Sequence, residues 1–311
     1  MRSSSAISDD RLLKPINAAK NSLTDARRGY RSFIFSLLFI AALAWFSDGA
    51  AQGQTEPGKL LTVWAGALPI ILSAPHGGRQ PIPRVSQRRG IGVKQFVAER
   101  DANTDELAER VAVKLTEQFS AKPFLVIAHF ERKFIDVNRS RETAYEALEA
   151  KPYYDGYHRA LREACERMRG EWGYGLLVDI HGQGAQVDAI YRGTNDGKTV
   201  ASLTERFGRE AVSGSNSIFG QLEQKGYKVF PPTDKPYKEN RNYIGGYIVQ
   251  TYGSHQGTGI DAIQLEFGTN LRRRSALERT AADLADAIVV FARQYLPAVK
   301  LSIGKAINML T

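Results

Sequence analysis

Residues 175–182 read GLLVDIHG, a short apolar run that ends in a histidine and a glycine. An apolar run of this length, without helical spacing, is typical of a buried β-strand. Three further stretches have the same character, and they lie at 68–74 (LPIILSA), 123–128 (PFLVIA) and 262–267 (AIQLEF). We therefore predict four buried strands at the centre of the fold.

Helical patterns separate these strands. Residues 103–119 carry apolar side chains at every fourth position from Leu107 onward, and Thr104 is placed to cap the start of this helix. Two more helices are predicted at 153–169 and 275–296. Strands that alternate with helices predict an α/β fold, here a three-layer sandwich in which helices cover both faces of a mostly parallel mixed sheet.

Composition and charge exclude some classes of protein. The 311 residues are 43% hydrophobic and 24% charged, which is ordinary for a globular chain. The net charge of +9 invites a nucleic-acid interpretation, but the basic residues are scattered and form no stripe with aromatic residues, so we expect no nucleic-acid partner. The single cysteine, Cys165, excludes an intramolecular disulfide and is expected to be a buried thiol rather than a nucleophile.

The N-terminal segment has the pattern of an export signal. An apolar run at 33–46 follows a basic flank at 27–31 and precedes the small residues 49–51. We therefore interpret residues 1–52 as a signal peptide or, alternatively, an uncleaved membrane anchor with a linker. Residues 60–300 are predicted to form one domain. The location expected is periplasmic or secreted, with membrane contact only through the N-terminal segment.

Two histidines stand in matching positions at the ends of predicted strands. His76 follows LPIILSAP and His181 follows GLLVDI, and each is followed by glycine. Ligands of open α/β sheets bind at the carboxyl ends of strands, and glycine lets a ligand approach closely. Two such histidines predict a metal site, although ordinary loop histidines are the alternative. The polar, proline-containing segment 225–246 is expected to form a long loop over this site.

A catalytic zinc ion takes three protein ligands and leaves one position to water. The third ligand is expected from the acidic residues at the start of the helix at 103–119. Asp101 is the first choice because it lies just before the helix, and Asp105 and Glu99 are the alternatives. Asp101 and Asp105 are equally suited to cap the helix and favour its dipole.

The segment 131–139 (ERKFIDVNR) directly follows the strand at 123–128 and supplies candidate substrate-binding groups. Arg132 is expected to polarise the scissile carbonyl or hold a substrate carboxylate. Asn138 and Arg139 are expected to bind carbonyl and carboxylate groups of the substrate. The alternative for each arginine is a solvated surface charge.

Two carboxylates near the predicted metal site have distinct expected roles. Asp179 is two residues before His181 and is expected to hydrogen-bond a ligand imidazole. Glu266 is flanked by apolar neighbours at a strand end, a setting that favours the protonated form and suits a general base. A structural ion pair with one of the arginines at 272–274 is the alternative for Glu266.

The order of these motifs resembles the N-formylglutamate amidohydrolase family, and more distantly the zinc carboxypeptidase and aspartoacylase group. The motifs are PHGG at 75–78, an acid before a helix, RKFIDVNR at 132–139, LLVDIHGQG at 176–184 and AIQLEFG at 262–268. The resemblance spans residues 68–274. It implies a zinc-carboxypeptidase-like (phosphorylase/hydrolase-like) fold.

The resemblance also implies roles for residues. His76 and His181 are expected to be zinc ligands, and Glu266 is expected to be the general base. Arg132, Asn138 and Arg139 are expected to bind substrate and oxyanion. The sequence departs from the H-x-x-E motif of the wider group, because Arg79 stands where that motif has its glutamate, and an acid such as Asp101 must complete the site.

The function expected from these observations is hydrolysis of an amide bond in an N-acyl amino acid, with one Zn²⁺ per chain. The substrate is expected to be a small-molecule or peptide-like amide that carries a carboxylate. One alternative is an envelope amidase or peptidase acting on peptidoglycan or γ-glutamyl amides. Another is a non-catalytic ligand-binding protein with the same fold.

Overall fold

The computed structural model describes residues 56–235 and 238–296. The predicted export segment, residues 1–52, lies outside the described residues, as do the last four residues of the predicted domain. Within the described ranges no helix combines the length and the apolar character that crossing a membrane requires. The division into an N-terminal segment and a domain over 60–300 stays a prediction.

Seven strands of the described chain form one mixed sheet in the order β1-β3-β2-β4-β7-β5-β6. Their bounds are β1 Leu61–Trp64, β2 Ile70–Ala74, β3 Phe124–Ala128, β4 Gly175–Gln183, β5 Ala189–Gly193, β6 Lys228–Phe230 and β7 Ile260–Gly268. The four central strands β3, β2, β4 and β7 run parallel. β1 is antiparallel to β3, and β5 is antiparallel to β7 and parallel to β6.

Helices pack on both faces of this sheet. Their bounds are α1 Thr104–Phe119, α2 Arg141–Ala144, α3 Lys151–Trp172, α4 Ala201–Phe207, α5 Glu210–Ser213, α6 Ile218–Gln224, α7 Tyr247–Tyr252 and α8 Arg274–Tyr295. Short 3-10 turns lie at Glu56–Leu60, Leu148–Ala150, Lys198–Val200, Ser254–Gln256 and Thr269–Arg272. Side chains of α1, α6 and α8 form one apolar core with the sheet, and side chains of α3 and α7 form the other. The predicted three-layer α/β sandwich is confirmed.

The alternation of side chains along β4 explains why a polar site forms at one end of one face. Leu176, Val178 and Ile180 enter the core under α1 and α8. Leu177 enters the opposite core, and Asp179 and His181 continue along that same face because strand side chains alternate. On this face, β4 therefore begins with an apolar side chain and ends with polar side chains next to the cleft.

Several local predictions are wrong. Thr104 does not cap α1: Asn103 occupies the cap position, and the Thr104 hydroxyl donates to the backbone carbonyl of Asp101. β4 continues to Gln183, so His181 lies inside the strand rather than after it. The predicted loop at 225–246 contains the short strand β6. Cys165 is a free, buried thiol as predicted, and burial raises its pKa to about 12.

Candidate metal centre

Three predicted ligands meet at the carboxyl end of the central strands. His76 follows β2, His181 lies near the end of β4, and Asp101 lies in the segment before α1. One ligand atom from each lies within 4.8 Å of the others, and all three residues are buried. The Oδ2 atom of Asp101 is 3.5 Å from Nδ1 of His76 and 3.3 Å from Nδ1 of His181. The structure thus brings two imidazole nitrogens and one carboxylate oxygen together.

A carboxylate fixes the far nitrogen of each imidazole. Nε2 of His76 is 2.7 Å from Oδ1 of Asp136, and Nε2 of His181 is 2.8 Å from Oδ2 of Asp179. An ionised carboxylate only accepts, so each Nε2 carries the hydrogen and each Nδ1 keeps its lone pair in the neutral ring. The Ser73 hydroxyl donates to Asp179 and fixes that carboxylate in turn. This is the arrangement in which proteins hold metal-binding histidines.

The donor set fits a divalent transition metal such as zinc. Nδ1 of His76 is buried and has no hydrogen-bond partner among the described residues, which is costly unless the nitrogen has another role. Burial alone would raise the pKa of Asp101, but the imidazoles of His181 and His76 beside it hold it well below its usual range, so the carboxylate is ionised. One of its oxygens also accepts from the backbone nitrogen of Gly182 at 3.0 Å.

The other two candidate ligands lie apart from this group. Asp105 and Glu99 are not among the residues whose ligand atoms converge, although Glu99 lines the adjoining cleft. Asp101 does not cap α1, since the helix has no side-chain cap hydrogen bond. Gly77 explains how α1 comes so close to His76: a Cβ atom at this position would collide with the backbone nitrogen of Asp105.

Glu266 lies beside the centre on the neighbouring strand. In the register of β4 and β7 it pairs with His181, and Gln264 pairs with Asp179. The Gln264 side chain donates to Oε1 of Glu266 at 2.8 Å. Burial raises the pKa of Glu266, and the neighbouring His181 opposes that rise. The carboxylate therefore has a higher proton affinity than an exposed glutamate, at the edge of the cleft.

The alternative of a structural ion pair for Glu266 finds no support among the described residues. None of the ion pairs within 4.0 Å joins Glu266 to the arginines at 272–274. Arg272 is buried, but its guanidinium donates to the backbone carbonyls of Phe267, Ala102 and Gln183. It ties the end of β7 to β4 and to the start of α1.

Arg132 faces the centre with one edge of its guanidinium. Its Nε and Nη2 atoms both lie 2.9 Å from Oδ2 of Asp136. Its Nη1 atom is 3.6 Å from Oδ1 of Asp101, and Arg132 also lines the cleft. Asp136 therefore holds both His76 and Arg132, and it fixes the guanidinium relative to the ligands.

Asn138 and Arg139 lie in the cleft wall, and the side chain of each also hydrogen-bonds to a backbone group. The Asn138 side-chain oxygen accepts from the backbone nitrogen of Ile248 at 2.8 Å, which fastens the start of α7. Its amide nitrogen is 3.3 Å from Nε2 of His181. Arg139 donates to the backbone carbonyl of Gln95 at 3.0 Å and keeps about a third of its side chain exposed.

Sequence reasoning missed Asp136 and Gln264. Asp136 stands inside the RKFIDVNR motif, where only Arg132, Asn138 and Arg139 drew attention. Asp179 was found because it is two residues from its histidine, whereas Asp136 serves a histidine 60 positions away along the chain. The sequence signal for both missed residues is a polar residue between two apolar neighbours: Asp136 stands between Ile135 and Val137, and Gln264 between Ile263 and Leu265.

A cleft of about 910 Å³ opens from the centre. Its walls come from four chain segments: 95–101, 132–143, 181–184 and 241–250, with the side chains of Gln264, Glu266 and Arg272 also exposed to it. The segment 241–250 includes the end of the predicted loop at 225–246, which does form part of the wall. Asp101, His181, Arg132 and Glu266 all face this cleft.

The fold and the site define a class of α/β proteins that hold a candidate metal centre at the carboxyl ends of the central parallel strands. Within this class, the resemblance to N-formylglutamate amidohydrolases is confirmed. The family model described as "FGase: N-formylglutamate amidohydrolase" matches residues 146–271, which include His181 and Glu266. The chain is 24% identical to N-formylglutamate deformylase of Pseudomonas aeruginosa over 279 positions, covering 76% of this chain and 95% of that protein.

Solved structures agree in fold. The N-formylglutamate amidohydrolase from Ralstonia eutropha JMP134 superposes with a TM-score of 0.52 at 18% identity, over 76% of this chain and 99% of that one. A gene product of Agrobacterium tumefaciens has a TM-score of 0.50 at 15% identity, over 78% and 96% of the two chains. The chain is therefore similar to N-formylglutamate amidohydrolase-like hydrolases in sequence and in fold.

Proposed function

We propose that this protein is a metal-dependent amidohydrolase that uses zinc to cleave the amide bond of an N-acyl amino acid. The observation that carries the proposal is the buried group of His76, Asp101 and His181 with Glu266 beside it. The printed names of the relatives, an N-formylglutamate deformylase and an N-formylglutamate amidohydrolase, support the reaction class.

Zinc held by His76, Asp101 and His181 would supply Lewis acidity to water and to a substrate carbonyl. Glu266 accepts the proton of the attacking water, for which its raised pKa is suited, and then delivers it to the leaving nitrogen. Arg132 presents Nη1 toward the centre and donates to the oxyanion that develops on the carbonyl oxygen. Asp136 keeps that guanidinium in place.

Selection of an anionic substrate follows from the arginines of the cleft. Arg139 and Arg241 both line it: Arg139 lies 3.8 Å from the Asp136 carboxylate and keeps about a third of its side chain exposed, and Arg241 is exposed and in no ion pair within 4.0 Å among the described residues. A guanidinium binds carboxylates in a planar, bidentate geometry. The substrate we propose therefore carries a carboxylate beside its scissile amide.

Metal analysis of matched variants tests this proposal. The purified protein is expected to bind about one zinc per chain, as a site with three protein ligands does. His76→Ala, His181→Ala and Asp101→Ala are expected to lose the metal and turnover of N-formylglutamate together. His255→Ala and Asp105→Ala are the matched controls, because His255 is exposed and Asp105 lies outside the ligand group.

Three outcomes would contradict the proposal. Full zinc content in His76→Ala and His181→Ala would exclude this centre. Metal loss in Asp105→Ala rather than Asp101→Ala would move the third ligand to Asp105. A fully metal-loaded protein that turns over no amide would leave the non-catalytic binding protein as the better interpretation.

A further inference from the structure

Gln264 lies inside β7, two residues before Glu266, and its side chain is buried. Side chains alternate along a strand, so Gln264 and Glu266 extend from the same face of the sheet, whereas Leu265 between them enters the apolar core of the other face. A buried primary amide is costly unless its oxygen and its nitrogen are hydrogen-bonded. The partners of this amide therefore indicate which groups it holds in place.

The side-chain amide of Gln264 joins Glu266 to the wall of the cleft. Its Nε2 atom donates to Oε1 of Glu266 at 2.8 Å, and its Oε1 atom accepts from the backbone nitrogen of Gly246 at 2.7 Å. A backbone N–H only donates and an ionised carboxylate only accepts, so both partners require the same orientation of the amide. The amide nitrogen of Asn138 lies 3.5 Å from the same oxygen. Gln264 is thus fixed at both ends in one orientation.

The carboxylate of Glu266 depends on this glutamine for its own orientation. In the part of the chain that the structure describes, Glu266 makes one side-chain hydrogen bond, the bond from Gln264 to Oε1. A hydrogen bond to one oxygen sets the plane of a carboxylate and therefore the direction in which the other oxygen presents its lone pairs. Glu266 lines the cleft, so Oε2 is the oxygen left for the proton of a water molecule there.

The wall of the cleft is fastened at the same amide. Gly246 directly precedes α7, and it lies so close to Asn138 that a Cβ atom at this position would collide with the Asn138 side-chain amide. Two residues further on, the backbone nitrogen of Ile248 donates to Asn138. Because Gln264 accepts from Gly246 and donates to Glu266, one side chain joins this wall to the carboxylate.

We propose that Gln264 is a positioning residue for the reaction: it orients the carboxylate of Glu266 toward the cleft and ties it to the wall at Gly246. This rests on the proposed function, which makes Glu266 the general base. Misplacing a reacting group by about 1 Å can lower the rate about 10²-fold. A glutamine that only satisfied buried hydrogen bonds would instead contribute to stability and leave turnover per folded molecule unchanged.

Gln264→Met tests the proposal, because it keeps the length of the side chain and removes both of its hydrogen bonds. In the zinc-loaded protein it is expected to lower kcat for N-formylglutamate about 10- to 100-fold. KM is expected to change less, since Arg132 and Arg241 are untouched. Thr199→Val is the matched control: Thr199 is buried outside the lining of the cleft, and its hydroxyl donates to the backbone carbonyl of Ala262 in the same strand. This control is expected to lower the melting temperature and to keep kcat per folded molecule.

A double-mutant cycle separates positioning of the base from a general structural role. The Glu266→Ala protein has no carboxylate to orient, so adding Gln264→Met is expected to lower its residual kcat no further. An equal loss in both backgrounds would overturn the proposal, because Gln264 would then act through something other than Glu266. A rise in KM without a loss of kcat, or an equal loss of kcat in Thr199→Val, would overturn it as well.

Crystal structures of the wild-type and Gln264→Met proteins give a readout that needs no activity. We expect the Glu266 carboxylate of the variant to turn or shift by about 1 Å. If the wild-type protein cleaves no amide, the proposed function is wrong and these structures decide alone: a displaced carboxylate supports orientation by Gln264, and an unmoved one overturns it. If amide is cleaved and Gln264→Met keeps the wild-type kcat, the proposed function stands and the role of Gln264 is wrong.

Discussion

Leu265 and Glu266 are neighbours in β7, yet their side chains enter opposite layers of the molecule. Leu265 is buried in the apolar core under α1 and α8. Glu266 faces the layer of α3 and α7, where the carboxyl ends of the strands carry Asp179, His181 and Gln264 instead of apolar groups. The same strands thus provide a rigid platform on one face and reactive groups on the other. We infer that side chains on one face of the sheet mainly stabilise the fold, and that side chains on the other face carry the candidate reaction.

Substitutions at these two neighbouring positions test whether the two faces of the sheet have separate roles. Glu266→Gln is expected to lower turnover by about 10²- to 10⁴-fold, because an amide cannot take the proton, with metal content and melting temperature nearly unchanged. Leu265→Ala is expected to lower the free energy of unfolding by about 2–5 kcal/mol through the cavity it leaves, while turnover per folded molecule survives. Melting, zinc content and turnover are measured on one preparation of each protein.

The opposite pattern would refute this division. A folded, zinc-loaded Glu266→Gln protein with near wild-type turnover would exclude Glu266 as the base. A main loss in melting temperature instead would favour a structural role for this carboxylate.

The two faces also differ in how well the sequence predicts them. The apolar platform was predictable, since short continuous apolar runs mark the central strands and one-sided apolar spacing marks α1 and α8. The strands β1, β5 and β6, which lie outside the four central strands, were missed because their sequences mix apolar and polar residues. Glycines and strand ends pointed to His76 and His181. The bond from Asp136 to His76 joins residues far apart in the chain, and no local pattern reports it.

A second difference between the faces concerns pH. His158, on α3, is buried among tyrosines, with its Nε2 atom 2.9 Å from the backbone carbonyl of Val137 and Nδ1 3.1 Å from the hydroxyl of Tyr252. Burial lowers its pKa from 6.5 to about 4. A carbonyl only accepts, so Nε2 carries the hydrogen of the neutral ring, and Nδ1 keeps its lone pair toward the Tyr252 hydroxyl, which also donates to the backbone carbonyl of His158 at 3.0 Å.

This depressed pKa makes the layer of α3 and α7 sensitive to acid. The contribution of His158 to stability is fully present above pH 6.5 and is lost as the pH falls toward 4, because the unfolded chain then binds the proton more readily. The loss attributable to this residue is about 3 kcal/mol at most, at about 1.4 kcal/mol per pKa unit. His158→Gln keeps a donor for the Val137 carbonyl and does not titrate.

Denaturant unfolding of both proteins between pH 7 and pH 4 measures the effect. The wild-type protein is expected to lose more stability over this interval than His158→Gln, and the difference between the two curves isolates this residue. Parallel curves would show that His158 titrates in the folded protein as it does in the unfolded chain.

The smallest effect we predict lies within the polar face itself, between the two carboxylates that hold the ligand histidines. Asp136→Asn and Asp179→Asn keep the size of the side chain but remove its charge, and the amide is able to donate to Nε2. The imidazole then favours the tautomer with hydrogen on Nδ1, the atom that points at Asp101. Metal affinity is expected to fall about 10- to 100-fold in each variant.

The two variants should differ in turnover once zinc is in excess. Asp136 also holds Arg132, whereas the other contact of Asp179 is the Ser73 hydroxyl. With the site saturated, Asp136→Asn is therefore expected to keep a lowered kcat and Asp179→Asn to recover most of it. Competition with a chelator gives the affinities, and Asp188→Asn, an exposed aspartate bonded to Asn270, is the matched control.

Equal recovery of both variants would show that Arg132 does not depend on Asp136. Unchanged affinity in both would show that the histidines are oriented by the backbone alone, and the polar face would then owe its geometry to the sheet rather than to its own hydrogen bonds.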